Sequence, residues 1–200
     1  MRFVFATLAA VLFSVPAFAQ APAPIWQGVY LGADLGSTNL RSEITDLVSG
    51  KTAKTSNGHS SAGAFAGYNW QFGPWVVGVE ADWSRVSRNI DRDFFSFRGR
   101  GGYSFGNSLV YATVGAGTEN AFLISSARGL TVEQQHTGIV AGAGLETMLM
   151  PHLALRAEAL YFDAGRERYD FPAANGFAAG AANYSFHDAI YRAGISYHFN

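Results

Sequence analysis

The chain contains no cysteine, so no disulfide holds its fold together. It shows no excess of basic residues, because 14 Lys and Arg stand against 15 Asp and Glu. That removes the electrostatic footprint of a nucleic-acid binder. Charge of either sign is scarce, at 14% of residues against about 25% in a typical soluble domain. Beyond residue 19 no apolar run approaches the ~20 residues of a membrane-spanning helix. The mean hydropathy is nonetheless only +0.06. What the chain does have is 23 Gly and 14% aromatic residues. Low charge and modest hydropathy, with many glycines and aromatics, suit a membrane β-barrel, whose strands are apolar on one side only.

The opening residues are of another kind. Arg2 supplies a positive charge, Phe3 to Val15 an apolar stretch, and Ala17-Phe18-Ala19 a small-residue cleavage site before Gln20. This is the pattern of a secretory signal peptide, expected over residues 1–19 and excluded from fold reasoning. Cleavage after Ala19 leaves 200 − 19 = 181 residues, enough for one domain. Residues 20–25 are expected as a short periplasmic lead-in and residues 26–200 as the barrel.

From Trp26 onward the sequence alternates. Side chains point to opposite faces at successive strand positions, so a strand with one apolar side has a period of two. The first such segment runs roughly from Trp26 to Gly36, with Val29, Leu31, Ala33 and Leu35 opposite Tyr30 and Asp34. The second, roughly Ser60 to Gln71, sets Ala62, Ala64, Ala66, Tyr68 and Trp70 against Gly63, Phe65, Gly67 and Asn69. In the third, Trp75 to Arg85, Trp75, Val77, Val79, Ala81 and Trp83 oppose Gly78, Glu80, Asp82 and Ser84. The fourth, roughly Phe94 to Ser104, sets Phe95, Phe97 and Tyr103 against Ser96, Arg98 and Arg100.

The fifth segment (Leu109 to Thr118), the sixth (Gln134 to Glu146) and the seventh (Leu153 to Asp163) alternate in the same way. Their polar faces carry Tyr111 and Thr113, His136 and Glu146, and Arg156 and Glu158. The eighth, Phe186 to Asn200, sets Ala189, Tyr191, Ala193, Ile195, Tyr197 and Phe199 against Asp188, Arg192, Ser196 and His198.

Connections two, four and six are short turns. Connections one, three, five and seven are longer, read as loops at roughly 37–59, 86–93, 119–133 and 164–185. An even number of strands with short and long connections in turn predicts an all-β fold: an eight-stranded antiparallel transmembrane up-and-down β-barrel with periplasmic turns and extracellular loops. A soluble lipocalin-type barrel would point its apolar faces inward and need an exterior rich in Lys and Glu. The polar faces here carry Gly, Ser and Asn with a few Arg and Glu, as suits a narrow lumen.

Placed inside, Asp34, Glu80, Asp82, Glu146, Glu158 and Asp188 supply carboxylates and Arg98, Arg100, Arg156 and Arg192 supply guanidinium groups. The planar fork of Arg matches a carboxylate bidentately, and a charge left unpaired in such an interior costs several kcal/mol. A lumen plugged by these pairs is expected, with a narrow porin-like channel as the alternative. Trp70, Trp75, Trp83, Tyr191 and Tyr197 are expected to form an aromatic girdle at the membrane interfaces, Trp75 and Trp83 bracketing an apolar band of about 25 Å. The partners this implies are outer-membrane lipids, with loop residues Lys51, Lys54, Arg88, Arg92, Arg128, Arg166 and Arg168 as candidates for lipopolysaccharide phosphates.

Catalytic patterns do not assemble. Gly115-Ala-Gly117 and Gly142-Ala-Gly144 lack the rest of a dinucleotide fingerprint. The five histidines (59, 136, 152, 187 and 198) have no metal-site spacing. His187 and Asp188, adjacent on a strand, point to opposite faces and form no dyad. No cofactor is expected and no enzymatic activity, although a lipid-modifying barrel enzyme stays open as a second alternative.

Several motifs together resemble a known family. They are Trp26-Gln-Gly-Val-Tyr-Leu-Gly, Gly78-Val-Glu-Ala-Asp-Trp83, Arg98-Gly-Arg-Gly-Gly-Tyr103 and Gly142-Ala-Gly-Leu-Glu146. Arg156-Ala-Glu-Ala-Leu-Tyr-Phe-Asp163 and Tyr191-Arg-Ala-Gly-Ile-Ser-Tyr-His-Phe199 complete them. In order and spacing they resemble the outer-membrane immunogenic proteins of alpha-proteobacteria, within the opacity/OmpA-type barrels. The resemblance implies a surface-exposed structural protein integral to the outer membrane, contributing to envelope integrity and host contact. The aromatic end, Tyr197 and Phe199, also resembles the C-terminal signal read by the barrel-assembly machinery, except that Asn200 displaces Phe199 from the last position.

Overall fold

The computed structural model describes residues 24–46, 52–87, 92–125, 130–171 and 180–199, with side chains over 24–39, 58–86, 93–120, 135–165 and 187–199. The expected signal peptide and Asn200 lie outside these residues, as do most of the lead-in and the side chains of the basic loop residues.

Eight strands form one closed antiparallel barrel in sequence order: β1 (Gly28–Asp46), β2 (Thr52–Phe72), β3 (Trp75–Ser87), β4 (Arg92–Phe105), β5 (Ser108–Ser125), β6 (Leu130–Met150), β7 (Leu153–Phe171) and β8 (Gly180–Phe199). Closure is made by β1 against β8, in register from Val29↔Phe199 to Asp46↔Ala182. A closed barrel has no free sheet edge within its wall, so every backbone group there is paired without water.

The orientation of the alternating faces decides the environment. The apolar side faces outward: Leu35, Trp75, Phe97, Val114, Ile139, Tyr191 and Ile195 are all exposed. The buried residues are mostly the polar ones, including Asp34, Glu80, Arg98, Glu146, Arg156 and Arg192. A soluble barrel would be the reverse. This wall needs hydrocarbon outside it, so the lipocalin-type alternative is set aside.

Two-residue turns join β2 to β3, β4 to β5 and β6 to β7. Gly73 and Gly106 take the left-handed backbone conformation that these turns require, at φ 61 and 57, and His152 takes it at φ 70. At the opposite end the strands run further than the alternation suggests. Residues 37–59, read as a loop, pair as a hairpin from Ser37↔Ser60 to Thr45↔Thr52. The β5–β6 ladder likewise continues to Ser125↔Leu130 and the β7–β8 ladder to Phe171↔Gly180. Outside the bilayer both faces of a hairpin meet water, so backbone pairing persists while the period-two pattern that reveals it disappears. The first strand also begins later than expected. Trp26 and Gln27 precede β1, and Trp26 turns into the barrel mouth.

Candidate functional site

The lumen is built in three storeys, and β7 alone shows all of them. Its inward residues run Ala154, Arg156, Glu158, Leu160 and Phe162, all buried. Ala154 belongs to an apolar cluster at the turn end with Trp26, Val76, Leu109 and Tyr111. Leu160 and Phe162 belong to a second cluster toward the hairpin end, with Phe94, Val140 and Ile190. Between the two lies a belt of charge.

Four guanidinium groups form the belt's cationic part among the described residues: Arg98, Arg100, Arg156 and Arg192. Glu80 is its hub. Arg156 grips both its carboxylate oxygens, Nη1 to Oε2 at 2.7 Å and Nη2 to Oε1 at 2.8 Å. Arg98 donates to Glu80 Oε1 at 2.5 Å, and Arg100 to Oε2 at 3.3 Å. Glu158 is the second hub, held by Arg156 at 2.6 Å, Arg192 at 2.7 Å and Arg98 at 3.3 Å. Arg192 reaches across to Asp82 at 2.8 Å, and Arg100 reaches Glu146 at 3.0 Å. Asp82 also accepts the Ser96 hydroxyl.

The neighbours expected from strand order are present, Glu80 and Asp82 with Arg98 and Glu158 with Arg156 and Arg192. What strand order does not show are the bonds across the lumen: β3 to β7 through Glu80 and Arg156, β4 to β6 through Arg100 and Glu146, and β3 to β8 through Asp82 and Arg192. In a barrel this narrow, side chains from opposite walls meet. Two of the expected residues sit apart from the hubs. Asp34 has Arg192 at 3.6 Å. Asp188 is buried one storey outward, in register with Phe162.

Three aromatic side chains enter this storey from polar-parity positions. The Arg100 guanidinium lies 4.0 Å from the ring centre of Tyr111 and 5.1 Å from that of Tyr30, and Arg156 lies 4.2 Å from the ring centre of Phe65. Aromatic faces attract a desolvated cation. The Tyr30 hydroxyl donates to Glu80 at 2.8 Å and accepts from Arg100 at 3.0 Å, and the Tyr111 hydroxyl donates to Glu158 at 3.0 Å. Glycine makes the room. A side chain at Gly67 would collide with the Tyr30 ring, and one at Gly144 with the Tyr111 ring. An aromatic on the polar face beside a glycine on the neighbouring strand was the available signal for these residues.

The outer surface is simpler. Trp70 and Trp75 lie beside the β2–β3 turn, Tyr197 near the end of β8, and Trp83 and Tyr191 toward the hairpin end; all are exposed on the lipid side. Trp75 meets Tyr103 edge-on at 5.2 Å, and Tyr197 meets Phe199 at 4.9 Å. His187 pairs with Asp163 at 3.3 Å on the exterior while Asp188 points inward, so the two adjacent residues face apart. No group of three or more His, Asp or Glu with metal-holding geometry occurs among the described residues.

Comparison with known proteins agrees with this geometry. Residues 5–199 match the family described as outer membrane protein beta-barrel domain. The 25 kDa outer-membrane immunogenic protein of Brucella melitensis is 31% identical, over 94% of this chain and 92% of that one. The 22 kDa outer membrane protein of Rhizobium leguminosarum is 30% identical, over 74% and 69%. The crystal structure of Neisserial surface protein A superposes with a TM-score of 0.51 at 16% identity, covering 86% of this chain and 98% of that one, which is a likeness of fold alone. An inside-out barrel of eight strands, matched over nearly its whole length, is integral to the outer membrane, and the chain belongs to the outer-membrane β-barrel protein family of the alpha-proteobacterial immunogenic proteins.

Proposed function

We propose that the protein is a non-catalytic, non-conducting barrel that braces the outer membrane and presents its hairpins at the cell surface. The observation that carries this reading is the filled lumen. Arg98, Arg156, Glu146 and Glu158 have virtually no solvent-accessible side chain, and apolar clusters lie on both sides of them. Ions would have to pass both clusters and displace paired charges whose partners cost several kcal/mol to orphan. This speaks against the porin-like channel. A lumen so occupied also leaves no room for an acyl chain, which speaks against a lipid-modifying enzyme. Both the Brucella and the Rhizobium relatives are named as outer-membrane proteins, and the Brucella one as immunogenic, which supports exposure at the surface and contact with a host.

The exposed aromatics Trp70, Trp75, Trp83, Tyr191 and Tyr197 serve in this reading as interface anchors, since amphipathic rings settle at the headgroup level of a bilayer. Tyr197 and Phe199, outward on β8, are the residues offered to the assembly machinery. The basic residues that the sequence places in the long connections, Arg88 and Arg92 above all, are the contacts for lipopolysaccharide phosphates. Charge reversal at both should lower the lipid that co-purifies with the barrel; unchanged lipid content would remove that partner. The structural role is tested in a strain lacking the protein, which should become sensitive to detergent and regain resistance with the intact barrel. Resistance unchanged by the loss would overturn it.

A further inference from the structure

We infer that Trp26 is a latch that closes the turn-end mouth of the lumen and locks the seam between the first and last strands. The residue lies outside β1, yet it is fully buried. Its indole N–H donates to Ser104 Oγ on β4 at 3.1 Å, and its main-chain N–H donates to Gln71 Oε1 on β2 at 2.9 Å. Gln71 answers through its own N–H, which donates to Gln27 Oε1 at 2.7 Å. The residue belongs to one buried cluster with Val76 of β3, Leu109 and Tyr111 of β5 and Ala154 of β7, and Met148 of β6 flanks that cluster. Its edge meets the His198 ring of β8 at 5.2 Å and 82°. Bonds and a ring contact tie this one residue to β2, β4 and β8, and its buried cluster draws in β3, β5 and β7.

His198 is the other half of the latch. Its ring is fully buried and stacks on Tyr30 of β1 at 5.2 Å and 20°. The seam is therefore clasped from inside by the order Trp26, His198, Tyr30, and Tyr30 continues into the Glu80 hub. The backbone of His198 is held from the neighbouring turn. Its N–H donates to the His152 carbonyl at 2.8 Å, and His152 Nδ1–H donates to its carbonyl at 3.1 Å. His152 adopts a left-handed conformation at φ 70, which is unfavourable for a residue with a Cβ, and the two bonds to His198 offset that strain. They also extend the β7–β8 ladder past Leu153↔Tyr197.

The arrangement has a kinetic consequence. The pocket for Trp26 does not exist until β8 has joined β1, because His198 forms one of its walls. Trp26 must then bury at closure and not before, unlike Trp70, Trp75 and Trp83 on the lipid side, which need only a membrane.

The test is a barrel in which Trp70, Trp75 and Trp83 are each replaced by Phe, refolded from urea into lipid vesicles. Trp26 emission should shift to the blue together with the appearance of the heat-modifiable closed band, and afterwards resist both aqueous acrylamide and brominated lipid. A shift completed before the closed band forms, or acrylamide quenching as strong in the folded barrel as in urea, would overturn the latch. In the otherwise native chain, Trp26→Ala and His198→Ala should each speed unfolding in urea by at least about tenfold, since contacts that form late act on the unfolding rate. Trp75→Ala should change it less than about threefold. Equal effects at Trp26 and Trp75 would reduce Trp26 to ordinary packing.

Discussion

Adjacent residues of β7 live under opposite rules. Arg156 and Glu158 face inward and are held by named partners at 2.6 to 2.8 Å, whereas Leu155, Ala157 and Ala159 face outward against lipid and are exposed. The outer face asks only for an apolar group of tolerable size, because hydrocarbon fits itself to whatever it meets. The inner face asks for a particular length, charge and direction at each position, because nothing mobile remains to fill a gap or solvate an orphan. Specificity in this molecule therefore resides in the lumen and generic affinity on the wall.

Substitutions can break that contrast. The largest effect is expected from Arg156→Leu, which removes the guanidinium that bridges Glu80 and Glu158 and leaves the buried belt one positive charge short. Breaking a buried ion pair by removing one partner should cost about 3–5 kcal/mol, read as a lower urea midpoint for the heat-modifiable folded band. Next comes Tyr111→Phe, which keeps the ring over Arg100 but removes the hydroxyl donated to Glu158 at 3.0 Å. A hydrogen bond to a charged group contributes roughly 1.5–3 kcal/mol. Smallest is Ala143→Val on the lipid face, expected within roughly 0.5 kcal/mol of the parent as for most surface changes. An Ala143→Val variant as damaged as Tyr111→Phe would show that the outer wall is also specific, and the contrast would fail. A double-mutant cycle on Glu80 and Arg156 sharpens it: the combined change should fall short of the sum of the single losses by more than about 1 kcal/mol.

The wall was legible because its physics has a short period. Val77, Val79 and Ala81 alternate with Gly78, Glu80 and Asp82, and nothing beyond a pair of neighbours is needed to see it. The members of the belt were legible for the same reason, as charges on the polar parity. Which carboxylate meets which guanidinium was legible only along neighbouring strands. The bonds from Arg156 to Glu80 and from Arg192 to Asp82 cross the lumen, and strand order carries no information about the far wall. Tyr30, Phe65 and Tyr111 fall on the polar side with no role legible from sequence, because stacking on Arg depends on depth and not on parity. Trp26 reads as the first residue of β1 by alternation alone. Its true position follows from a turn and from contacts to the separate strands β2, β4 and β8, which no local pattern records. The outer hairpins read as loops in the sequence because a ladder with water on both faces has no reason to alternate.

The central claim is that paired charges between two apolar storeys close the lumen. Conductance of the purified, heat-modifiable barrel in a planar bilayer tests it most directly. The account predicts a silent membrane for the native protein across the usual voltage range. Reproducible conductance steps from the folded native barrel would contradict it.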